Sequence, residues 1–598
     1  MHRTHLLLVV VATICSLDGS TSASAQSNPP NVVVILSDDQ GWGDLSLHGN
    51  PNLRTPNIDA MARDGAEIDH FYVCAVCSPT RAEFLTGRYH TRMGVYSTST
   101  GGERFNADEQ TIAEVFQQAG YATAAFGKWH SGMQYPYHPN ARGFVEYYGF
   151  CSGHWGNYFD PMLEHNGEIV QGNGFIIDDL TNRAIDFIDN HRDQPFFVYL
   201  PLNTPHSPMQ VPDPYWDRFA DKEIVPDPAP ANAQAQKLMH TRAALAMCEN
   251  IDDNVGRLIQ YLEERGIADN TIVIYFSDNG PNGARFNGGM RGRKGSTFEG
   301  GLRSPCLVRY PREIAGGTKL TKVAGAIDLL PTLVELTGID HEPRKPLDGI
   351  SIAPLLRGRA DELPERLLFS AWNQKASVRS ERFRMQVDGS LYEIAVDPGE
   401  TIDVRGKYPD VAARLGAALE QWITETQPAS SRSPRRRPIT LGHPQERQTQ
   451  LPARDAEPHG GVVRSNRFPN CTYMTQWTGA AEDRITWDIE VIEGGNFEVT
   501  MYYACPKESV GSELELSFGG QRLAATIEVP NDVPQIGREH DRVERQEGYV
   551  KDWRPMKLGV IQLEAGRGTL ALRATKATGP EVAEMRLLLF RRVAPVQR

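Results

Sequence analysis

The chain has no surplus of positive charge. Among 598 residues, 62 are Lys or Arg against 75 Asp or Glu, a formal net charge of -13. That balance argues against a general binder of nucleic acid or of anionic membranes. Attraction for an anionic substrate would have to be local, a basic pocket on an acidic body. Cysteine is scarce: eight residues are too few for a disulfide framework in a chain of this length. Beyond the first 25 residues no stretch is long and apolar enough to cross a bilayer. No internal repeat is visible, which removes solenoids and propellers.

What is present begins with a leader. Arg3, an apolar run from Leu6 to Cys15 and the small residues Ala23-Ser24-Ala25 read as a secretory signal peptide, residues 1–25. The mature protein is expected to be exported, periplasmic or secreted, without a membrane anchor. Loss of Cys15 leaves seven cysteines, of which Cys471 and Cys505 are the expected bridged pair.

The length calls for more than one domain. Apolar runs NVVVIL, YATAAF, PFFVYL and NTIVIYF alternate with helix-like stretches such as TIAEVFQQAG and DLTNRAIDFIDNHR. Continuous runs suit strands covered on both faces, so residues 26–319 read as an α/β domain with a mainly parallel sheet flanked by helices. Residues 320–426 read as a smaller α+β subdomain of the same unit. Residues 427–458, rich in Pro, Ser and Arg, read as a linker whose basic residues 432–437 are solvated. From 459 to 598, short alternating strands separated by Gly-rich turns predict a separate all-β sandwich.

Each of the four apolar runs leads into polar residues: Ser37-Asp38-Asp39, Gly127-Lys128-Trp129-His130, Asn203-Thr204-Pro205-His206 and Ser277-Asp278-Asn279-Gly280. In open α/β sheets ligands bind at the carboxyl ends of the strands, so these loops are candidates for one site. Singly, each has a plainer reading: helix-capping carboxylates, an Asn-Gly turn, a packed loop histidine. Jointly, three carboxylates and an amide oxygen suit a hard cation, calcium or magnesium, over zinc.

Cys74 and Cys77 are three apart in VCAVCSPTRAEFLTGRY. A redox pair, half of a zinc site and a chemically altered cysteine compete as explanations. Pro79 suits the first turn of a helix, which sets Cys77 at or just before an N-terminus that favours anions. Arg81, four residues on, lies about one turn away. No second ligand pair supports zinc and no small βαβ unit supports a redox motif. Cys74 reads as an ordinary buried cysteine.

CSPTRAEFLTGR, Cys77 to Arg88, resembles the signature of the type I, formylglycine-dependent sulfatases of the alkaline-phosphatase-like superfamily. The likeness runs from about Asn31 to Glu425 and includes SDDQGWGD, GKWH, TPH and FSDNG. It implies that Cys77 is oxidised to formylglycine by a dedicated maturation enzyme. It further implies that Asp38, Asp39, Asp278 and Asn279, with the group derived from Cys77, bind a divalent cation, Ca2+ ahead of Mg2+. Catalytic roles carry over to Cys77, Arg81, Lys128, His130, His206 and Lys294. The implied reaction is sulfate ester hydrolysis. A hydroxyl of the hydrated aldehyde attacks sulfur with help from Asp278, and His206 or Lys294 protonates the alcohol. His130 then assists the second hydroxyl in expelling sulfate. Two rivals remain: a phosphonate or phosphate ester hydrolase of the same superfamily, and an inactive glycan-binding protein.

Export and the sandwich together favour a sulfated carbohydrate as substrate. His154, Trp155, Arg285, Arg291 and Arg293 flank the candidate residues and are candidate substrate contacts. In the last domain Trp477, Trp487, Tyr502, Tyr503, Tyr549 and Trp553 offer stacking surfaces for sugars or serve as core. A further alternative has that domain packing on the first and narrowing its cleft.

Overall fold

The computed structural model describes residues 29–359, 362–427 and 437–593. The signal-peptide segment 1–25 and nearly all of the basic run 432–437 lie outside the described residues. Among the described residues no helix is long and apolar enough to cross a membrane.

The four apolar runs form β1 (Asn31–Asp38), β2 (Ala122–Lys128), β3 (Phe196–Pro205) and β4 (Thr271–Ser277). They lie side by side in the order β4-β1-β3-β2, all parallel. Every residue of β1 and β3 is buried, as continuous apolar runs require. Strand Glu146–Phe150 extends the parallel set beyond β2, and strands in antiparallel pairs, with one further parallel pair at the edge, complete a ten-stranded mixed sheet. Successive side chains of β1 point to opposite faces. Val32, Val34 and Leu36 pack with Phe84 and Leu85 of α1 (Cys77–Thr86). Val33 and Ile35 pack with Leu180 and Phe187 of α2 (Ile176–His191) and with Leu245 and Leu258 of α3 (Leu238–Glu264). Helix α3 was not among the segments singled out from the sequence, although Leu245, Cys248, Ile251, Val255, Leu258 and Leu262 recur at helical spacing and are all buried.

Next comes an antiparallel meander of four strands between Leu368 and Glu393. Helix α4 (Pro409–Thr426) covers it with Leu415, Leu419 and Trp422.

The last region is two facing sheets around one apolar core. It starts earlier than its composition suggests. Ile439–Leu441 pairs with Arg484–Val491, and Gln448–Pro452 pairs with Glu584–Val593. Residues 439–458, read as linker, therefore belong to the sandwich; their strands are three and five residues long and hidden among Pro and Arg. Of the two readings offered for the aromatics, core holds for four, while Tyr502 lines a cavity with Trp155. Trp477, Trp487 and Tyr503 are core residues, and Trp553 is buried against Tyr473. The Tyr549 hydroxyl donates to Asp541, and Arg538 and Arg545 flank its ring. Cys471 and Cys505 are not bridged: both are free thiols, as are the other five described cysteines. Cys471 faces the carbonyl of His154, whereas Cys505 bonds within its own loop.

Candidate active site

Strand β1 runs into Asp38 and Asp39, β2 into Lys128 and His130, β3 into His206, and β4 into Asp278 and Asn279. Two residues at these ends, Asp39 (φ 68) and His130 (φ 60), adopt the left-handed conformation that Asp and His tolerate better than most. Helix α1 begins at Cys77, after extended Val76. Pro79 lies in its first turn, where the missing N–H is not needed, and Gly87 ends the helix at φ 68. All ten residues of α1 are buried, so its N-terminus is an interior feature of the molecule.

The buried charges interlock. Arg81 donates to Asp278 Oδ2 from Nη2 (2.7 Å) and Nε (3.1 Å), and to the Lys128 carbonyl from Nη1 (2.9 Å). Lys128 Nζ meets Asp38 Oδ2 at 2.6 Å, and Lys294 Nζ meets Asp39 Oδ1 at 2.5 Å. Asn279 Nδ2 donates to Asp39 Oδ1 (2.9 Å). These bonds leave Asp38 Oδ1, Asp39 Oδ2 and Asn279 Oδ1 buried without a hydrogen-bond partner. Unpaired buried oxygens of this kind are costly. Ligand atoms of Asp38, Cys77 and Asp278 lie within 4.8 Å of one another, as do those of Asp38, Asp39 and His206. The donor set fits a hard divalent cation.

Electrostatics agree with that reading. Burial, and then the Asp38 carboxylate, push Asp278 well above the usual carboxylate range despite Arg81. For Asp38 burial acts in the same direction, but Lys128, His206 and Arg81 outweigh it and hold its pKa well below that range. A dication beside both would let both ionise.

The histidines differ in their bonding. His130 Nε2 lies 2.8 Å from the Thr98 carbonyl and so carries the proton, while Nδ1 is buried without a partner. Burial, then Lys128, lower its pKa well below the ordinary value, so the ring is neutral. Gly153 packs on that ring: a Cβ there would lie 2.3 Å from Nε2. His206 Nδ1 is 2.8 Å from the Ser207 carbonyl, and its Nε2 is 3.7 Å from Asp39 Oδ2. His154 lies beside it, ring centroids 5.5 Å apart, with both nitrogens buried and unpartnered. Burial, then His206, lower its pKa to about 3.

Cys77, His130, His154, His206 and Lys294 line one cavity of about 260 Å³. Trp372 of the meander and Phe468 and Glu547 of the sandwich line it too. The remaining sequence candidates stand elsewhere. Arg285 is buried and locked to Asp44 (2.6 Å) and the Asp39 carbonyl (2.8 Å), so it braces the loop behind Asp39 instead of meeting a ligand. Arg291 lies over the Phe298 ring (3.9 Å) and donates to the Glu400 carbonyl, turned towards the meander. Arg293 is exposed. Trp155 stacks on Phe150 and faces a neighbouring cavity with Trp553 and Arg586. Sequence reasoning assigned no role to Thr80, whose hydroxyl donates to the Asp278 carbonyl (2.6 Å), or to Asn203, whose amide atoms are buried and unpartnered. Both sat in motifs already quoted. Nothing local marks Glu547, 340 residues from its hydrogen-bond partner Ser207.

The family model described as Sulfatase matches residues 30–339, just over half of the chain. The chain belongs to the sulfatase family. A second model, N-sulphoglucosamine sulphohydrolase, C-terminal, matches residues 293–424. This sulfatase is 30% identical to the N-acetylgalactosamine-6-sulfatase of Homo sapiens over 378 residues, 57% of this chain and 69% of that one. It is 32% identical to arylsulfatase G of Rattus norvegicus over 409 residues, 59% and 73% of the two chains. The crystal structure of Ps i-CgsB in complex with k-i-k-neocarrahexaose superposes with a TM-score of 0.62 at 29% identity, covering 67% of this chain and 94% of that one. The enzyme is thus a sulfuric ester hydrolase of alkaline-phosphatase-like fold. Members of the family generally use a metal ion and a formylglycine, and the unpartnered oxygens of Asp38, Asp39 and Asn279 are chemically suited to a cation.

Proposed function

We propose that this sulfatase hydrolyses sulfate esters on carbohydrate, with a formylglycine derived from Cys77 and a divalent cation, calcium ahead of magnesium. Asp38, Asp39, Asp278 and Asn279 would hold the cation, which supplies Lewis-acid stabilisation of charge on the sulfuryl oxygens. The formylglycine, once hydrated, supplies the nucleophilic hydroxyl. The observation that carries this reading is the trio of buried oxygens without a hydrogen-bond partner, Asp38 Oδ1, Asp39 Oδ2 and Asn279 Oδ1, in a site whose lysines are matched to carboxylates.

The chain's own residues then divide the work. Arg81 fixes Asp278 through two bonds and supports the group at position 77 from the same helix face. Lys128 and Lys294 offset the charge of the bound ester. His206 Nε2 and Lys294 Nζ, both in the cavity, are the candidates to protonate the departing alcohol. His130, neutral and with Nδ1 unpartnered, is suited to accept a proton. Carbohydrate as the substrate class is supported by two relatives: one is named for N-acetylgalactosamine 6-sulfate, and the other was crystallised with a neocarrahexaose. Export as a soluble protein through the leader, and conversion of Cys77 by a maturation enzyme, belong to the same proposal.

The test is the mass of the tryptic peptide containing Cys77, from protein made in its native host, beside turnover of an aryl sulfate and the matching phosphate. A thiol-to-aldehyde mass difference, preference for sulfate, and loss of turnover in Cys77→Ala are expected. An intact thiol in fully active enzyme would sink the mechanism; preference for phosphate would move the enzyme to the phosphoester branch.

A further inference from the structure

The sandwich does more than sit beside the catalytic domain. Its segment from Gly537 to Tyr549 lies along the loop that follows β3. Gln210 Nε2 donates to the Gly537 carbonyl (2.6 Å) and to Asp541 Oδ1 (2.9 Å). Arg542 donates through its backbone to the Met209 carbonyl (2.9 Å) and through Nη2 to that of Val211 (2.8 Å). Arg545 grips Asp541 within the segment and reaches the Gly156 carbonyl across the junction. The segment is therefore fixed to the first domain from Gly537 to Arg545, and two residues beyond the last of these anchors Glu547 lines the cavity.

Glu547 Oε1 accepts a hydrogen bond from Ser207 Oγ (2.6 Å), next in sequence to His206. Burial raises its pKa, but the Ser207 hydroxyl and the other polar groups around it outweigh burial and hold it below the ordinary glutamate value, so the carboxylate is ionised. Asn470, from the same domain, brings an unpartnered buried side-chain oxygen to the cavity, and His154 brings two unpartnered ring nitrogens. Phe468, 40% exposed, offers an apolar ring at the cavity edge.

This part of the lining is rich in acceptors, unlike the side that bears Lys294. A carboxylate and an amide oxygen call for donors on the ligand, and the neutral imidazole offers one donor and one acceptor. Ring hydroxyls satisfy all three, and an aromatic edge suits the apolar face of a sugar. A second sulfate in the same place would meet an ionised carboxylate at close range and lose affinity.

We infer that Glu547 is a specificity-determining residue supplied by the sandwich: with Asn470 and His154 it accepts and reads the hydroxyls next to the scissile sulfate, and it selects sugars carrying a hydroxyl there over sugars carrying a second sulfate. The inference rests on the carbohydrate reading above and sharpens it.

The experiment uses full-length enzyme with Cys77 converted, and compares kcat/KM on 4-nitrophenyl sulfate, N-acetylgalactosamine 6-sulfate and N-acetylgalactosamine 4,6-disulfate. Wild type should favour the monosulfate over the disulfate. Glu547→Gln keeps the shape and removes the charge; it should lower the monosulfate-to-disulfate ratio about tenfold and the monosulfate-to-aryl ratio by a similar factor. Glu544→Gln, an exposed neighbour, should leave both ratios at wild-type values. Unchanged ratios in Glu547→Gln overturn the inference. So does equal loss on all three substrates, the pattern of a purely structural role for Glu547. A wild type that turns over the aryl ester and neither sugar overturns it as well, while the proposed sulfatase chemistry stands. If the wild type releases sulfate from none of the three, with Cys77 shown by mass to be converted, the proposed function falls and the inference with it.

Discussion

Arg81 has no solvent exposure and donates to an equally buried Asp278 through two of its nitrogens. Arg81→Ala would strand that carboxylate in the interior. Removing one partner of a buried pair costs about 3–5 kcal/mol, so chemical unfolding should show a loss of that size, and sulfate release should vanish. Gly153→Ala tests a different kind of constraint. The added methyl group would press on His130, whose other contact is the Thr98 carbonyl. Turnover should fall at least about tenfold through the tilted imidazole, with little change in the far-ultraviolet circular dichroism spectrum. On the proposed reading, removing the cation should act in both respects at once. Treatment with a chelator should abolish turnover and lower the thermal midpoint, and calcium added back should restore both, because bound cation stabilises only the folded state. At this scale the sequence was most informative where a motif sets unusual residues at a strand end or a helix start: the paired carboxylates after β1 and the Cys-x-Pro-x-Arg of α1 do meet in one place. It failed where a side chain's duty depends on distant neighbours. Arg285 and Arg293 look alike in the string RFNGGMRGR, yet Arg285 is bonded to Asp44 and Arg293 is exposed.

Among the elements, the turn before strand Gln448–Pro452 carries a titration with a readable sign. Glu446 accepts from the Thr449 hydroxyl (2.7 Å) and from the backbone N–H of Tyr135 in the first domain (3.4 Å). Burial raises its pKa from the ordinary 4.5 to about 8. The folded state thus binds a proton that the unfolded state has released throughout that interval. The associated stability is complete below about pH 4.5 and is lost as pH rises through 8. Glu446→Gln, which has no charge to bury, should remove this dependence. The wild-type unfolding free energy should fall relative to the variant's between pH 5 and 9, by about 4 kcal/mol at most. A parallel pair of pH profiles would show that the carboxyl is not the source. Elements were legible in proportion to their apolar length. Strands β1 to β4, buried on both faces, announce themselves as unbroken runs. Ile439–Leu441 and Gln448–Pro452 are short and embedded in polar sequence, and only their partners in Arg484–Val491 and Glu584–Val593 make them strands.

For the whole molecule, the junction between sandwich and catalytic domain is polar and cross-linked by charge. Arg454 is buried, donates to Ser152 (2.9 Å) and lies 3.4 Å from Glu103; Gln450 donates to Glu164 (2.9 Å); Arg591 pairs with Glu168 (2.7 Å). Calorimetry should therefore record one unfolding transition for the native protein. Arg454→Ala, which leaves Glu103 and Asp455 unpaired at the seam, should split it in two, with the separated transition a few degrees below the main one. The sandwich's alternating strands were visible in the sequence, but its docked position was not, since none of these contacts joins neighbours in the chain. The course of the backbone has a further consequence for synthesis. Strand Glu584–Val593 is the middle one of its sheet, flanked by Gly495–Ala504 on one side and by Gln448–Pro452 and Met474–Thr475 on the other. A ribosome will have released Asp38 through Lys294, with every oxygen of the metal cradle, long before that strand emerges. Until it does, the half-made sheet has no centre, and the segment bearing Glu547 is held only by its own bonds to Gln210, Met209, Val211 and Gly156. A nascent chain that stalls before that strand emerges carries all the candidate site residues beside an unfinished wall.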